Sequence, residues 1–169
     1  MNDTYSEIIV KRKMSNSTLL LRFLAIIASV IIIFLSMAAL GMFGLMAGVF
    51  IIWLDIIIFR NTDIEYEYQF ISGELNIDII YGKRKRKRAR KFDMRKIEVM
   101  APLNSDKLSS ANNNKNIKVM DYSSGYSDRQ KYAFVINLDE GKVAKVIFEP
   151  SEKMIESIKY HLPNKVHAY

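Results

Sequence analysis

The chain has 169 residues, with 25 Lys and Arg against 18 Asp and Glu, and half of its residues are hydrophobic. It contains no cysteine, which excludes disulfide scaffolds and thiolate metal sites. The 32 residues from Phe23 to Leu54 carry no charge, which excludes an ordinary soluble protein. We therefore expect a membrane protein.

The apolar stretch is too long for one membrane crossing and suits two. A spanning helix needs about 20 residues at a rise of about 1.5 Å per residue. Gly41 and Gly44 lie in the middle of the stretch, where they weaken helix continuity and permit a tight turn. The sequence therefore predicts a two-helix transmembrane hairpin over residues 18–60.

Positive residues flank this hairpin at its outer ends, and its central turn carries no charge. Such residues concentrate on the cytoplasmic side of a membrane, so we expect a multi-pass protein of the bacterial inner membrane with both termini cytoplasmic. A cleaved signal peptide is the alternative, which the length of the apolar region disfavours. The flanking residues are Lys11, Arg12, Lys13, Arg22 and Arg60.

The hairpin divides the chain into three parts. Residues 1–17 form a cytoplasmic N-terminal segment, which suits either a short helix at the membrane surface or disorder. Residues 61–169 form a cytoplasmic domain in which apolar residues alternate with polar ones, as in half-buried strands. The predicted strands are 63–71, 75–81, 88–95, 96–101, 117–122, 131–138 and 142–148, the last pair joined by a turn at 139–141.

Two further segments of this domain have a clear pattern. Residues 151–162 carry apolar side chains at helical spacing after Ser151, a suitable N-cap, and before Pro163. Residues 103–116 are rich in Asn and Ser and predict a mobile loop without an apolar anchor.

The first predicted strand shows the alternation most plainly. Tyr66, Tyr68 and Phe70 fall on one face and are expected to be buried. Glu67, and Asp78 of the next strand, fall on the other face and are expected to contact solvent.

Three segments carry a family resemblance: MNDTYSEIIVKRK at the start, EYEYQFISGELNIDIIYGKRKRKR after the apolar stretch, and VIFEPSEKMIESIKYHLP near the end. The order of elements resembles a pleckstrin-homology-like (PH-like) barrel of about seven antiparallel strands with a C-terminal helix. The chain is also similar to an uncharacterised family of small two-span Firmicutes membrane proteins with a cytoplasmic bacterial PH-like domain. The resemblance implies an α+β membrane protein and no known activity. It departs from lipid-binding signalling domains, because the loop at 72–74 lacks the basic residues that those domains carry in their first hairpin loop.

A basic run holds eight of the 25 cations, and without it the chain has 17 basic against 18 acidic residues. Anionic lipid headgroups attract such residues with about 1 kcal/mol each near the membrane surface. The alternative is a solvated turn that only fixes topology. Nucleic acid is disfavoured because no aromatic residue is interleaved before Phe92. The predicted lipid-binding residues are Lys83, Arg84, Lys85, Arg86, Lys87, Arg88, Arg90 and Lys91.

Polar and small residues within the apolar stretch predict how its helices pack. Asp55 and Arg22 lie at similar depth, so we expect them to pair across the hairpin, with separate contacts to headgroups as the alternative. Four small residues at four-residue spacing permit close helix packing, either within the hairpin or in a homo-oligomer. They are Gly44, Gly48, Ala25 and Ser29.

The sequence offers little for catalysis. Its histidines are His161 and His167, and it lacks the HExxH, GxSxG and phosphate-loop motifs. We expect neither an enzyme nor a cofactor or metal site. The predicted function is a membrane-anchored binding or scaffolding module whose basic surface contacts anionic lipids. The alternative is an accessory subunit of a larger membrane complex, such as a transporter or an envelope-stress system, recognised through the hairpin.

Overall fold

The computed structural model of the chain describes residues 5–114, 116–138 and 141–168. Its contacts group the chain into two compact units. The first unit comprises the described residues within 1–12, 65–80 and 86–169, and the second comprises residues 13–64 and 81–85.

The described chain contains eight strands and four α-helices. The strands are β1 (Tyr5–Lys11), β2 (Ile64–Ile71), β3 (Glu74–Tyr81), β4 (Lys85–Asp93), β5 (Ile97–Pro102), β6 (Lys118–Asp121), β7 (Tyr132–Asn137) and β8 (Val143–Phe148). The α-helices are α1 (Asn16–Leu40), α2 (Gly44–Thr62), α3 (Ser109–Asn113) and α4 (Glu152–His161). Short 3₁₀ turns cover Gly41–Phe43, Met94–Lys96 and Asp106–Leu108.

The first sheet has the strand order β1-β2-β3-β4 and begins with a strand that the sequence did not predict. β1 pairs antiparallel with β2, from Tyr5 opposite Ile71 to Lys11 opposite Glu65. Val10 is buried in the core, which neither a surface helix nor disorder would allow. The expectation for this segment was wrong, because its pattern is set by a partner strand far along the chain.

The second sheet has the order β5-β7-β8-β6, with β5, β7 and β8 antiparallel. β6 instead pairs parallel with β8, from Lys118 opposite Ala144 to Asp121 opposite Ile147. The expected succession of antiparallel hairpins is therefore incorrect at β6. Residues 139 and 140 of the predicted last turn lie outside the described residues.

Aromatic side chains of both sheets meet in the core of the first unit. Phe134 contacts Phe92 and Phe148 edge to face, with ring centroids 5.3 and 5.5 Å apart. Tyr68 contacts Phe148 in the same manner. Edge-to-face aromatic pairs add about 0.5–1.5 kcal/mol each beyond their burial. The predicted inward residues Tyr66, Tyr68 and Phe70 are all buried.

The segment between β5 and β6 is anchored, contrary to the expected mobile loop. It forms a 3₁₀ turn and α3, and Leu108 and Ala111 pack against Ala101 and Val135 of the second sheet. Lys145 of β8 is buried beneath it and donates a hydrogen bond to a side chain of this segment. Two apolar residues among many polar ones are enough to hold the segment.

α4 and the residues after it close the first unit. The Ser151 hydroxyl accepts a hydrogen bond from the Met154 amide at 3.2 Å, so the predicted N-cap is confirmed. Beyond α4, the Met100 amide donates to the Lys165 carbonyl and the His167 amide donates to the Met100 carbonyl, both at 2.8 Å. The C-terminal residues thus cover the outer edge of β5.

The second unit is mainly a helical run of 47 residues, Asn16–Thr62, which by length and composition is apolar enough to cross a membrane. It consists of α1, a 3₁₀ turn and α2. The Arg22 guanidinium near its start donates to the Phe59 carbonyl near its end at 2.8 Å. Gly48 lies beside the Ile33 side chain, so α1 and α2 contact each other along their length.

Candidate functional site

The cations of the basic run between Lys83 and Lys91 have different surroundings. Seven of its eight cations fall into three groups with different surroundings, and the eighth, Lys87, is exposed and belongs to none of them. The turn group is Lys83, Arg84 and Lys85; the paired group is Arg86, Arg88 and Lys91; and Arg90 lines a cleft.

The turn group belongs to the second unit and is fixed to the end of α2. The Gly82 amide donates to the Asp63 carbonyl at 2.8 Å. Gly82 has a φ of +53°, and a Cβ there would lie 3.0 Å from the Arg60 backbone oxygen. Lys83 also has a positive φ, of +58°. Glycine fits this tight turn because it tolerates both the backbone angle and the close approach.

The cations of the turn group have no acidic partner within the described residues. Within the described residues, no ion pair involves Lys83, Arg84 or Lys85, and all three are exposed. Arg60 lies beside them, so the end of the helical run carries four cations from two chain segments.

The paired group is neutralised within the first unit. Arg86 contacts Glu67 at 2.8 Å and Lys91 contacts Glu74 at 2.7 Å. Arg88 lies 3.8 Å from Asp78. Their acidic partners belong to the neighbouring strands β2 and β3. Three of the eight cations of the basic run therefore pair with acidic residues of neighbouring strands.

Glu67 and Asp78 are buried, although the sequence predicted solvent contact for both. Side chains from the neighbouring strands cover them, including Glu7 of β1 and the cations of β4. Alternation alone assigned these carboxylates to the outer face, which is correct, but that face is not open to solvent. The covering strand β1 was missing from the prediction.

Glu67 and Glu7 form a hydrogen-bonded carboxyl pair. Burial, and next the hydrogen bond to Glu7, raise the pKa of Glu67 to about 7, while the Arg86 guanidinium opposes this rise. The same hydrogen bond lowers the pKa of Glu7, and the Tyr5 hydroxyl, which donates to Glu7, lowers it further. The pair thus holds one proton over a range of pH in which separate carboxyl groups would both be ionised.

Arg90 faces a different environment from the rest of the run. Its guanidinium carbon lies 5.9 Å from the centre of the Phe92 ring. It lines a cleft of about 720 Å³ together with Lys118 and Lys142. No sequence signal links these three cations, because they come from distant segments and converge only through the strand order.

The expected pair of Arg22 and Asp55 does not form in this structure. Arg22 instead donates to the Thr62 hydroxyl and to the Phe59 carbonyl, at 2.6–2.8 Å. Asp55 is half-buried and has no hydrogen-bond or ion-pair partner among the described residues. A backbone carbonyl near the end of α2 satisfies the guanidinium, a partner that residue types alone cannot indicate.

The predicted small residues lie where α1 and α2 meet. Gly44, Gly48 and Ser29 are buried and Ala25 is half-buried. A Cβ at Gly44 would clash with the backbone of Ser36, whereas one at Gly48 would make an ordinary contact of 3.6 Å. Of the two packing alternatives, contact between α1 and α2 accounts for their burial.

Other polar residues of the first unit have structural partners. Buried Glu149 accepts hydrogen bonds from the Ser124 amide and hydroxyl at 2.9 and 2.7 Å, and so fixes the loop after β6. His161 packs edge to face on Phe70. In the described part of the chain, no group of three or more His, Asp or Glu residues is arranged to hold a metal ion.

Two four-stranded sheets closed by a C-terminal helix define an α+β domain of the PH-like class. The chain belongs to the family described as "Bacterial PH-like domain (DUF6106)", and the match covers residues 2–168. Neither a curated protein nor a solved structure matches the chain. The predicted PH-like class and C-terminal helix are confirmed, whereas the two-span topology and the Firmicutes origin stay predictions.

Proposed function

We propose that this protein is a membrane-anchored binding module of the bacterial inner membrane. The helical run 16–62 crosses the bilayer twice as a hairpin, and the PH-like domain and both termini lie in the cytoplasm. The turn group contacts anionic lipid headgroups and orients the domain on the membrane, where it meets its partners. Confinement to the bilayer raises their effective concentration, so weak intrinsic contacts suffice.

The pairing of β1 with β2 carries this proposal. β1 ends at Lys11, before the helical run, and β2 begins at Ile64, after it, yet the two strands lie side by side in one sheet. A run that leaves a sheet and returns to it must begin and end on the same side of any membrane. This requires an even number of crossings. α1 has 25 residues and α2 has 19, which correspond to about 37 and 28 Å of helix, close to the bilayer core of about 30 Å.

The surface of the helical run supports a lipid environment. Large apolar side chains are exposed around it, including Phe34 at 77%, Met42 at 85% and Trp53 at 54%. Water would disfavour such a surface by about 25 cal/mol for each Å². Monomeric soluble proteins rarely expose contiguous apolar patches of more than a few hundred Å².

The turn group is the part of the basic run best suited to headgroups. Its three cations lie beside Arg60, at the end of α2, where the positive-inside rule places the cytoplasmic interface. Each cation near an anionic surface contributes about 1 kcal/mol. The paired group contributes less, because its charges already have acidic neighbours.

Fluorescence of Trp53, the single tryptophan of the chain, tests the membrane crossing. The full chain is reconstituted into phosphatidylcholine bilayers whose acyl chains carry bromine at different depths. We expect strong quenching by bromine within the acyl region. Emission that is insensitive to bromine at every depth would contradict the transmembrane hairpin.

Two triple variants test the lipid contact with equal changes of charge. The first replaces Lys83, Arg84 and Lys85 with Gln, and the second replaces Arg86, Arg88 and Lys91. Full-length proteins are placed in nanodiscs of phosphatidylcholine with or without phosphatidylglycerol, and amine labelling of Lys87 is compared with that of Lys153 of α4. In the wild type, phosphatidylglycerol is expected to protect Lys87 at low salt and not at high salt.

The first variant is expected to lose this protection and the second to retain most of it. Equal loss in both variants would show that only the total charge matters. Labelling of Lys87 that does not respond to phosphatidylglycerol in the wild type would contradict the lipid contact itself.

The alternative role as an accessory subunit recognised through the helices has less support. In that role Gly44, Gly48, Arg22 and Asp55 would form the recognition surface. The first three already have a contact within the helical run. A pull-down from membranes with the full chain, compared with an Asp55→Asn variant, examines the remaining polar residue. A partner captured by the wild type and lost in Asp55→Asn would favour the alternative.

A further inference from the structure

The turn between α1 and α2 forms one end of the second unit and is entirely apolar. We name its residues 40–44, which are Leu, Gly, Met, Phe and Gly, the hairpin tip. Over residues 30–50, Ser36 is the one residue with a polar side chain. The other end of the helical run carries two cations, Arg22 and Arg60. The two ends of the run therefore suit different surroundings.

The hairpin tip bonds polar groups of its backbone internally. The Gly41 amide donates to the Met37 carbonyl, and the Gly44 amide donates to the Gly41 carbonyl. The Ser36 hydroxyl donates to the Ile33 carbonyl at 2.8 Å, and the Gly44 carbonyl lies 3.3 Å from it. A polar backbone group without a partner is costly in hydrocarbon, where no water can replace the missing bond. These bonds therefore suit a turn that lies in hydrocarbon.

Two glycines keep the turn short. Gly41 has a φ of +56°, which glycine adopts without strain. A Cβ at Gly44 would clash with the backbone of Ser36, so α1 and α2 approach closely here. Three residues of 3₁₀ turn, Gly41–Phe43, are enough to join the helices. The tip therefore extends little beyond the helix ends.

The length of the helices places the tip below the headgroups of the far leaflet. From Arg22 to Leu40 the chain advances 18 residues, and from Gly44 to Arg60 it advances 16. At about 1.5 Å per residue these lengths are about 27 and 24 Å, and a helix tilt of about 20° shortens both. The hydrocarbon core is about 30 Å thick. Since the positive-inside rule places both arginines at the cytoplasmic headgroups, the tip ends within the acyl region.

The side chains around the tip suit fluid hydrocarbon better than a second protein helix. Met42, Phe43 and Met46 are exposed over most of their surface. Helices that associate in membranes generally meet through small residues. Here the small residues Gly44 and Gly48 are buried and already lie between α1 and α2. The bulky side chains left on the surface are therefore expected to contact lipid tails.

We propose that the hairpin tip ends among the acyl chains of the leaflet opposite the cytoplasm and does not reach the water beyond it. Met42, Phe43 and Met46 contact lipid tails, while the bonds of Ser36 and Gly41 close the turn. This inference rests on the proposed membrane crossing and adds that the crossing stops beneath the far headgroups. Recognition of polar partners is then left to the cytoplasmic parts of the chain.

Spin labels test the position of the tip, because the chain has no native cysteine to compete for the label. Met42→Cys carries the label at the tip, Phe34→Cys carries it on the exposed surface of α1, and Lys153→Cys carries it at an exposed position of α4. Each full-length variant is reconstituted into phosphatidylcholine bilayers. Power saturation then measures collisions of the label with oxygen, which concentrates in hydrocarbon, and with a water-soluble nickel chelate.

The label at position 42 is expected to resemble the label at position 34, with frequent oxygen collisions and loss of most of the nickel collisions measured at position 153. Frequent nickel collisions at position 42 would overturn the proposal. If position 34 still favoured oxygen, the membrane crossing itself would stand. Few collisions with either reagent at position 42 would show that protein covers the tip and would also overturn the proposal.

A second variant gives an independent readout if Met42→Cys folds poorly. Trp53→Phe/Phe43→Trp moves the single indole of the chain to the tip. Its emission is expected to be quenched by bromine on the acyl chains and little affected by iodide in the water. Strong quenching by iodide with weak quenching by bromine would place the tip in water and overturn the proposal.

Discussion

The Arg86 guanidinium contacts the fully buried Glu67 carboxylate at 2.8 Å, so a residue of the basic run stabilises the fold of the domain. The contact joins β4 to β2 across the outer face of the first sheet. A polybasic segment is usually interpreted by its net charge, yet here three of its eight cations have acidic partners. Binding and stability are therefore separable within one segment.

Replacement of Arg86 tests this separation. Arg86→Gln is expected to destabilise the domain by about 1–2 kcal/mol at neutral pH, because it leaves the buried Glu67 carboxylate without its charged partner. Lys87→Gln removes the same charge from the neighbouring exposed position and should change stability by less than about 0.5 kcal/mol. Thermal unfolding of both full-length variants in the same detergent compares them. Equal melting temperatures would contradict a structural role for Arg86.

The carboxyl pair of Glu7 and Glu67 predicts a dependence of stability on pH. The pKa of Glu67 is raised from 4.5 to about 7, so its stabilising contribution is complete below about pH 4.5 and is lost as pH rises to about 7. The pKa of Glu7 is lowered, so Glu7 adds stability that is present above about pH 4.5 and is lost only at lower pH. That change lies outside the window in which Glu67 titrates. The domain should therefore be less stable at about pH 8 than at about pH 5 through this pair.

Glu67→Gln is the matched variant for this measurement. Glutamine keeps a hydrogen-bond donor for Glu7 and cannot ionise, so the variant should lose most of the pH dependence between about pH 5 and 8. Melting temperatures are recorded across this range for both proteins. If the melting temperature of the wild type instead rose from about pH 5 to about pH 8, the predicted effect of the carboxyl pair on stability would be wrong.

The two glycines of α2 are predicted to differ in their tolerance of a methyl group. Gly44→Ala would place its Cβ 2.7 Å from the Met37 Cα, so α1 and α2 must separate at a cost of about 1–3 kcal/mol. Gly48→Ala makes only an ordinary contact with Ile33 and should be tolerated. Thermal unfolding of Gly44→Ala and Gly48→Ala in the same detergent compares their stabilities. If both glycines instead mediated self-association, both variants would give less cross-linked dimer than the wild type, and their melting temperatures would be similar.

Leu108 is predicted to anchor the segment between β5 and β6. Leu108→Ala removes a fully buried side chain from the cluster with Ala101 and Val135 and should cost about 2–5 kcal/mol. Lys107→Ala, at the exposed neighbouring position, is the control. Amide hydrogen exchange over residues 103–117 should become faster in Leu108→Ala. Exchange as fast in the wild type as in the variant would restore the interpretation of a mobile loop.

The C-terminal residues are predicted to be part of the domain and not a dispensable tail. Val166 is buried beside β5, so Val166→Asp introduces an unpaired charge and should lower the melting temperature strongly. Asn164→Asp places the same carboxylate at an exposed position and should have little effect. Similar melting temperatures for the two variants would show that the pairing with β5 does not contribute to stability.

Local patterns in the sequence were sufficient for much of the domain. Alternation located β2 and β3, and the buried positions Tyr66, Tyr68 and Phe70 followed from it. The cap at Ser151 and the apolar spacing after it located α4. These elements are determined by side chains close together in the chain, which is why periodicity reveals them.

The errors have a common physical cause, which is contact between distant segments. β1 is a strand because β2 lies beside it, and β6 pairs parallel with β8, which is not its neighbour in the chain. Glu67 is buried because β1 and β4 cover it, and Arg90 joins Lys118 only through the order of the strands. No periodicity reveals these neighbours, so neither the ion pairs of the paired group nor the position of Arg90 near Lys118 could be predicted from the sequence.

The placement of β1 has a consequence for how the protein is made. Lys11 emerges from the ribosome 53 residues ahead of Ile64, so β1 must remain unpaired while the whole helical run is synthesised. If the run enters the bilayer during translation, its return to the cytoplasm delivers β2 to the waiting strand. The first sheet would then be complete only in chains whose helices have inserted correctly. In chains whose second helix does not cross back, β1 would stay unpaired and the domain would be exposed to proteolysis.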